Sequence, residues 1–191
     1  MAKKESTFVS MLSTLVVVTL VAAGLLGSVY ALTKEPIRLA ELRKKNEAIA
    51  VVVPGFDNEP SAEVRKLPVE GDTLYFYTAR KGDEILGTAV ETFTGIGFSG
   101  EFKLMVGFDP EGKITDIAVI SHSETPGLGD KMDPRKSDFH VQFMGKDPGS
   151  FKLLVKKDRG DVDAISASTI TSRAYCDAVQ RAYDGLQQIN P

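Results

Sequence analysis

Phe102-Lys103-Leu104-Met105-Val106-Gly107-Phe108, then Asp109-Pro110-Glu111-Gly112, then Lys113-Ile114-Thr115-Asp116-Ile117-Ala118-Val119-Ile120: two runs of β-forming residues flank a turn of Asp, Pro and Gly. That order reads as a β-hairpin. Working outward, Leu74-Tyr75-Phe76-Tyr77 and Glu84 to Glu91 are two more strand-like runs, parted by Lys81-Gly82-Asp83. Connections this short favour antiparallel pairing. A further short strand is expected over Phe151 to Val155, and a short helix over Asp138 to Met144.

Beyond this region the period changes. Tyr175, Ala178, Val179, Ala182, Tyr183 and Leu186 recur at i, i+3, i+4, i+7, i+8 and i+11, one apolar stripe of a final helix. Thr171 or Ser172 is its expected N-cap. The expected fold class is α/β, more narrowly α+β, with a mainly antiparallel sheet and flanking helices.

The N-terminal end is of another kind. No charged residue occurs between Glu5 and Lys34, and Phe8 to Leu32 is rich in Leu, Val and Ala. As a helix this run is roughly 38 Å long at about 1.5 Å per residue, enough to cross a bilayer core of about 30 Å with some tilt. Lys3, Lys4 and Val29-Tyr30-Ala31 also fit a cleaved signal peptide. The run exceeds the usual apolar length of such peptides, so it reads as a retained anchor. Pro36 suits a first helical turn, and Ile37, Ala40 and Leu42 begin an apolar face that runs to Pro54-Gly55. The expected organisation is a tail over 1–7, a transmembrane helix over 8–32, a helical stalk over 33–54 and one domain over 55–191. The flanking Lys and Arg count alone would put the C-terminal side in the cytoplasm, but long domains cross regardless of it.

Composition narrows the function. The 191 residues carry a net charge of −3, which argues against a nucleic-acid surface. One cysteine, Cys176, excludes a disulfide within the chain, and with only two histidines no Cys/His zinc site is expected.

The chemistry concentrates in Asp163-Ala164-Ile165-Ser166-Ala167-Ser168-Thr169-Ile170-Thr171-Ser172. Hydroxyls and small side chains stand immediately before a helix, whose N-terminus offers unpaired N–H groups and a positive dipole end to a phosphate. A Ser/Thr-rich capping turn would look the same. A second stretch, Glu124-Thr125-Pro126-Gly127-Leu128-Gly129, follows Ser121-His122-Ser123. It reads as a turn-bearing polar loop. A third, Gly95-Ile96-Gly97-Phe98-Ser99-Gly100, reads as a glycine-rich strand connection.

Together these stretches resemble the FMN-binding domain family of ion-pumping redox complexes. Its flavinylation pattern, Asp-x-x-Ser-Gly-Ala-Thr-x-Thr-Ser, is matched at Asp163, Ser166, Thr169, Thr171 and Ser172. Ala167-Ser168 stands where Gly-Ala is usual, and Ala167 gives up the inexpensive positive φ of glycine. Its Glu-Thr-Pro-Gly-Leu-Gly loop is matched at Glu124 to Gly129, and Phe98 replaces the tyrosine of a Gly-Tyr-x-Gly turn.

The resemblance covers nearly the whole chain. In length and order it is most similar to the G subunits of Rnf complexes; the C subunits of sodium-pumping NADH:quinone reductases share the motif but are usually longer. It implies an electron-relay subunit, not catalytic alone, that carries FMN on Thr169 through a phosphoester installed by a flavin transferase. Ser166, Ser168, Ile170, Thr171 and Ser172 would surround the phosphate. Glu124, Thr125, Gly127, Leu128 and Gly129 would contact the ring or ribityl chain. It further implies membrane and peripheral partner subunits, electron flow between ferredoxin and NAD, a single-pass location in the inner membrane and an extracytoplasmic domain. A membrane-tethered sensor or scaffold that binds flavin loosely is the alternative of another class.

Overall fold

Alternation along the central strands places one set of side chains on each sheet face. The structure is a computed structural model describing residues 7–189; the expected tail, with Lys3, Lys4 and Glu5, lies outside them apart from residue 7. The elements are α1 (Phe8–Val52), β1 (Val64–Pro68), β2 (Thr73–Lys81), β3 (Glu84–Gly97), β4 (Gly100–Phe108), β5 (Ile114–Ser121) and α2 (Thr169–Ile189). The chain divides into two units, 1–43 and 44–191.

In the first unit, α1 presents exposed Leu, Val and Phe side chains on all sides. It contains a window apolar enough to cross a membrane, with a mean hydropathy of 2.3. Pro36, which suits a first helical turn, lies inside α1, where the stalk continues the helix. A proline interrupts only the bond its own nitrogen would make and crowds the turn before it, so the helix resumes beyond it.

In the second unit the five strands lie in the order β1-β2-β3-β4-β5, every neighbour antiparallel. Val106 pairs with Ile117 in the hairpin that the Asp109–Gly112 turn closes. One face buries Leu74, Phe76, Val90, Leu104 and Val106 against Ala174, Ala178, Val179, Ala182 and Leu186 of α2. The other buries Tyr77, Ala79, Ala89 and Met105 against Ala48, Ile49 and Val52, the C-terminal turns of α1. There the buried Glu91 carboxylate accepts from the Tyr77 hydroxyl at 2.9 Å and pairs with Lys45 at 3.0 Å. On the opposite face Thr92 Oγ1 donates to Ala178 O at 2.9 Å, and Thr94 Oγ1 donates to Asp177 at 2.8 Å.

The structure corrects two expectations, a strand and a helix cap. Phe151 to Val155 forms no strand: only Val155 bridges, in parallel, to Val162. Leu153 and Val155 are buried from an irregular segment, and its backbone bonds run to Asp161 and Val162 rather than to a sheet. The short helix expected over 138–144 is present as a 3-10 helix over Phe139–Phe143, with the Phe139 ring edge-on to Phe143 and to Tyr175. Helix α2 begins earlier than its apolar stripe, at Thr169, so neither Thr171 nor Ser172 is its N-cap. β1, whose Val64-Arg65-Lys66-Leu67-Pro68 lacks a β-rich pattern, had no counterpart among the expected strands.

Candidate functional site

Loop, turn and helix meet around one carboxylate. Glu124 is 4% exposed. Its Oε2 accepts from the Thr171 hydroxyl at 2.9 Å, and its Oε1 accepts from the backbone N–H of Ser99 at 3.2 Å. The three stretches singled out in the sequence are therefore joined through Glu124. A buried carboxylate must be compensated by hydrogen bonds or charge, and these donors do so.

Packing explains the small residues. A Cβ on Gly129 would collide with Glu124 Oε2 and come within 2.9 Å of Thr171 Oγ1. A Cβ on Gly97 would collide with Gly100 O and reach Glu124 Oε1 at 2.8 Å. Only hydrogen fits at either place, whatever the backbone angles.

The 163–172 stretch is held by its own hydroxyls. Ser172 Oγ donates to Ser168 O at 3.0 Å and accepts from Ile165 N–H at 2.9 Å. Ser172 N–H makes the first helical bond, also to Ser168 O. The earlier N–H groups of the helix thus stand outside its ladder, as at any helix start. Ala167 adopts φ 61°, the left-handed conformation for which the resembling pattern uses glycine. Ser166 is exposed and Ser168 is buried. Asp163 pairs with Lys156 at 2.7 Å, and its N–H donates to Gln142.

Thr169 is the first residue of α2 and half-buried, and its hydroxyl has no hydrogen-bond partner among the described residues. Ile170 beside it is exposed, as are Leu128, 43% exposed, and Phe98, 66% exposed. Thr125 is half-buried and Gly127 exposed. So the outer half of the loop faces solvent near α2, while Glu124 and Gly129 are committed to the protein interior. His122 accepts the Glu124 N–H through Nδ1 at 3.1 Å, and Lys131 is exposed.

Sequence reasoning passed over Arg173. It forms a bidentate pair with Asp158, Nε to Oδ2 at 2.6 Å and Nη2 to Oδ1 at 2.8 Å. The pair holds the Arg173 guanidinium above its usual pKa and the Asp158 carboxyl below its own. Both residues line a cleft of ≈ 640 Å³ together with Ile96, Leu154 and Gln180. The spacing Thr169-x-x-x-Arg173, one helical turn, was the available signal.

A half-buried free hydroxyl at a helix start, with exposed Ile170 beside it, fits a phosphorylated cofactor. The FMN-binding domain family model matches residues 97–184, which include the 124–129 and 163–172 stretches whole and the glycine-rich stretch from Gly97 on. The G subunit of the ion-translocating oxidoreductase complex of Shewanella baltica is 36% identical over 174 residues, covering 85% of this chain and 82% of that protein. The corresponding protein of Vibrio cholerae is 34% identical over 184 residues, 91% of this chain and 88% of its own. That of Yersinia pestis is 36% identical over 182 residues, with 89% and 86% covered. The fold and site define an FMN-binding domain protein with an apolar N-terminal helix. Within that class, the chain belongs to the family of G subunits of ion-translocating oxidoreductase complexes.

Proposed function

We propose that this chain is a membrane-anchored electron-relay subunit of an ion-translocating oxidoreductase complex of the Rnf type, carrying FMN esterified to Thr169 Oγ1. The free Thr169 hydroxyl at the start of α2, in a chain of this family, is the observation that supports it. Bound FMN supplies one- and two-electron exchange. The protein supplies the ester oxygen, and a flavin transferase joins it to phosphorus from FAD with release of AMP. First-turn N–H groups and the helix dipole favour the phosphate charge. Ser166 and the backbone of Ser168 and Ile170 border it.

Thr171, Ser172, Glu124 and Gly129 are bonded or packed within the protein and hold this frame. Thr125, Gly127 and Leu128 form the open side toward ring and ribityl chain. The apolar part of α1 anchors the chain in the inner membrane with its domain on the extracytoplasmic side, and other subunits complete the electron path between ferredoxin and NAD.

The test is co-expression with the transferase. Denatured wild-type protein fluoresces in a gel and gains the mass of one FMN, and Thr169→Ala loses both. An adduct that persists in that variant overturns the assignment.

A further inference from the structure

Arg173 follows Thr169 by one turn of α2, so the two side chains share a face. Long helical side chains lean toward the N-terminus, over the turn before their own Cα. That tendency directs Arg173 toward the turn that Thr169 opens. Its fork is oriented: Asp158, which ends the 3-10 turn Lys156–Asp158, takes two of its N–H groups. A guanidinium has five, so three remain for another acceptor. Lys156, the neighbouring cation across the acceptor stretch, is already engaged with Asp163. An exposed pair of this kind contributes little to folding, which leaves its fixed geometry as its consequence.

We propose that Arg173 is a positioning residue for the phosphodiester on Thr169, donating to its phosphoryl oxygens while Asp158 fixes the plane of the fork. This rests on Thr169 being the flavin attachment point. Planar bidentate donors suit phosphate, and a diester keeps its negative charge across physiological pH. A held phosphate restricts the swing of the whole flavin about its tether.

The experiment uses the full chain in detergent, co-expressed with the transferase, as wild type and as Arg173→Gln, Arg173→Lys and Asp158→Asn. Intact mass comes first. Absence of FMN from the wild type defeats the attachment reading itself, and the present inference with it. With the adduct present, the ³¹P resonance of the diester and the fluorescence anisotropy of the flavin are read against salt. Arg173→Gln is expected to shift the resonance, remove its salt dependence and lower the anisotropy. Arg173→Lys keeps part of the salt dependence, and Asp158→Asn keeps the ³¹P contact while the anisotropy falls.

Unchanged spectra in Arg173→Gln overturn the proposal. So does an equal change of both readouts in Asp158→Asn, which would make the pair a fastening of the 148–158 segment. Loss of the adduct in both Arg173 variants assigns the residue to recognition by the transferase and overturns it too. Melting curves matching wild type establish that the exposed substitutions leave the fold intact.

Discussion

The Thr171 hydroxyl donates to Glu124 Oε2 at 2.9 Å, joining the start of α2 to a loop 47 residues earlier. Both residues are buried, so the bond cannot be replaced by water. Thr171→Val keeps the shape and strands a carboxylate oxygen. The expected cost is about 1–3 kcal/mol, the desolvation cost of an unsatisfied buried group. Urea unfolding of the domain measures it, and a midpoint equal to wild type would show that the bond contributes nothing.

Ala167 at φ 61° carries backbone strain. Ala167→Gly removes the Cβ conflict, though the unfolded chain gains freedom. The net expectation is a gain of about 0.5–1 kcal/mol, seen as a higher urea midpoint. A lower midpoint would contradict the strain argument.

Cys176 is 1% exposed, and burial pushes its thiol up to about 12. Alkylation needs the thiolate. Iodoacetamide at about pH 8, near the pKa of a free thiol, should leave the folded protein unmodified and label it stoichiometrically in urea, as mass spectrometry would record. Rapid labelling of the folded chain would place the thiol at the surface.

Asp133 is held below the ordinary carboxylate pKa, first by its hydrogen bonds from the Arg135 side chain, at 3.0 Å to Nε and 2.5 Å to Nη2. A depressed carboxylate stabilises the fold fully above its unfolded pKa and loses that contribution as pH falls through the folded value. Melting temperature should therefore drop below about pH 4, and the drop should be smaller in Asp133→Asn. Parallel wild-type and variant curves would remove Asp133 from the acid response.

How much of this was legible depended on whether a residue's role was local. The β4–β5 hairpin and the α2 stripe follow from neighbours in sequence, and both were readable. β1 was not, because Arg65 and Lys66 make it resemble a loop and only its pairing with β2 defines it. Phe151 to Val155 misled for the converse reason: apolar residues signal burial, but their backbone bonds decide strand or loop. At the site, the motif drew attention to Thr169, and the structure shows it half-buried at the start of α2. The internal engagement of Glu124 could not, since Ser99 and Thr171 reach it only after folding. Arg173 went unnoticed because an isolated arginine on a helix is ordinary until its fork is seen aligned by Asp158.

The two threonine bonds from β3 to α2 have a wider consequence. Apolar packing lets a helix slide or roll slightly on a sheet, whereas Thr92 to Ala178 O and Thr94 to Asp177 act as a pin through both layers. From Ala178 back to Thr169 is about 14 Å of helix at about 1.5 Å per residue. The address of the Thr169 hydroxyl is thus written at some distance from it. Transplanting residues 163–172 onto another helix would carry the motif without its alignment, and a graft would need the β3 threonines as well.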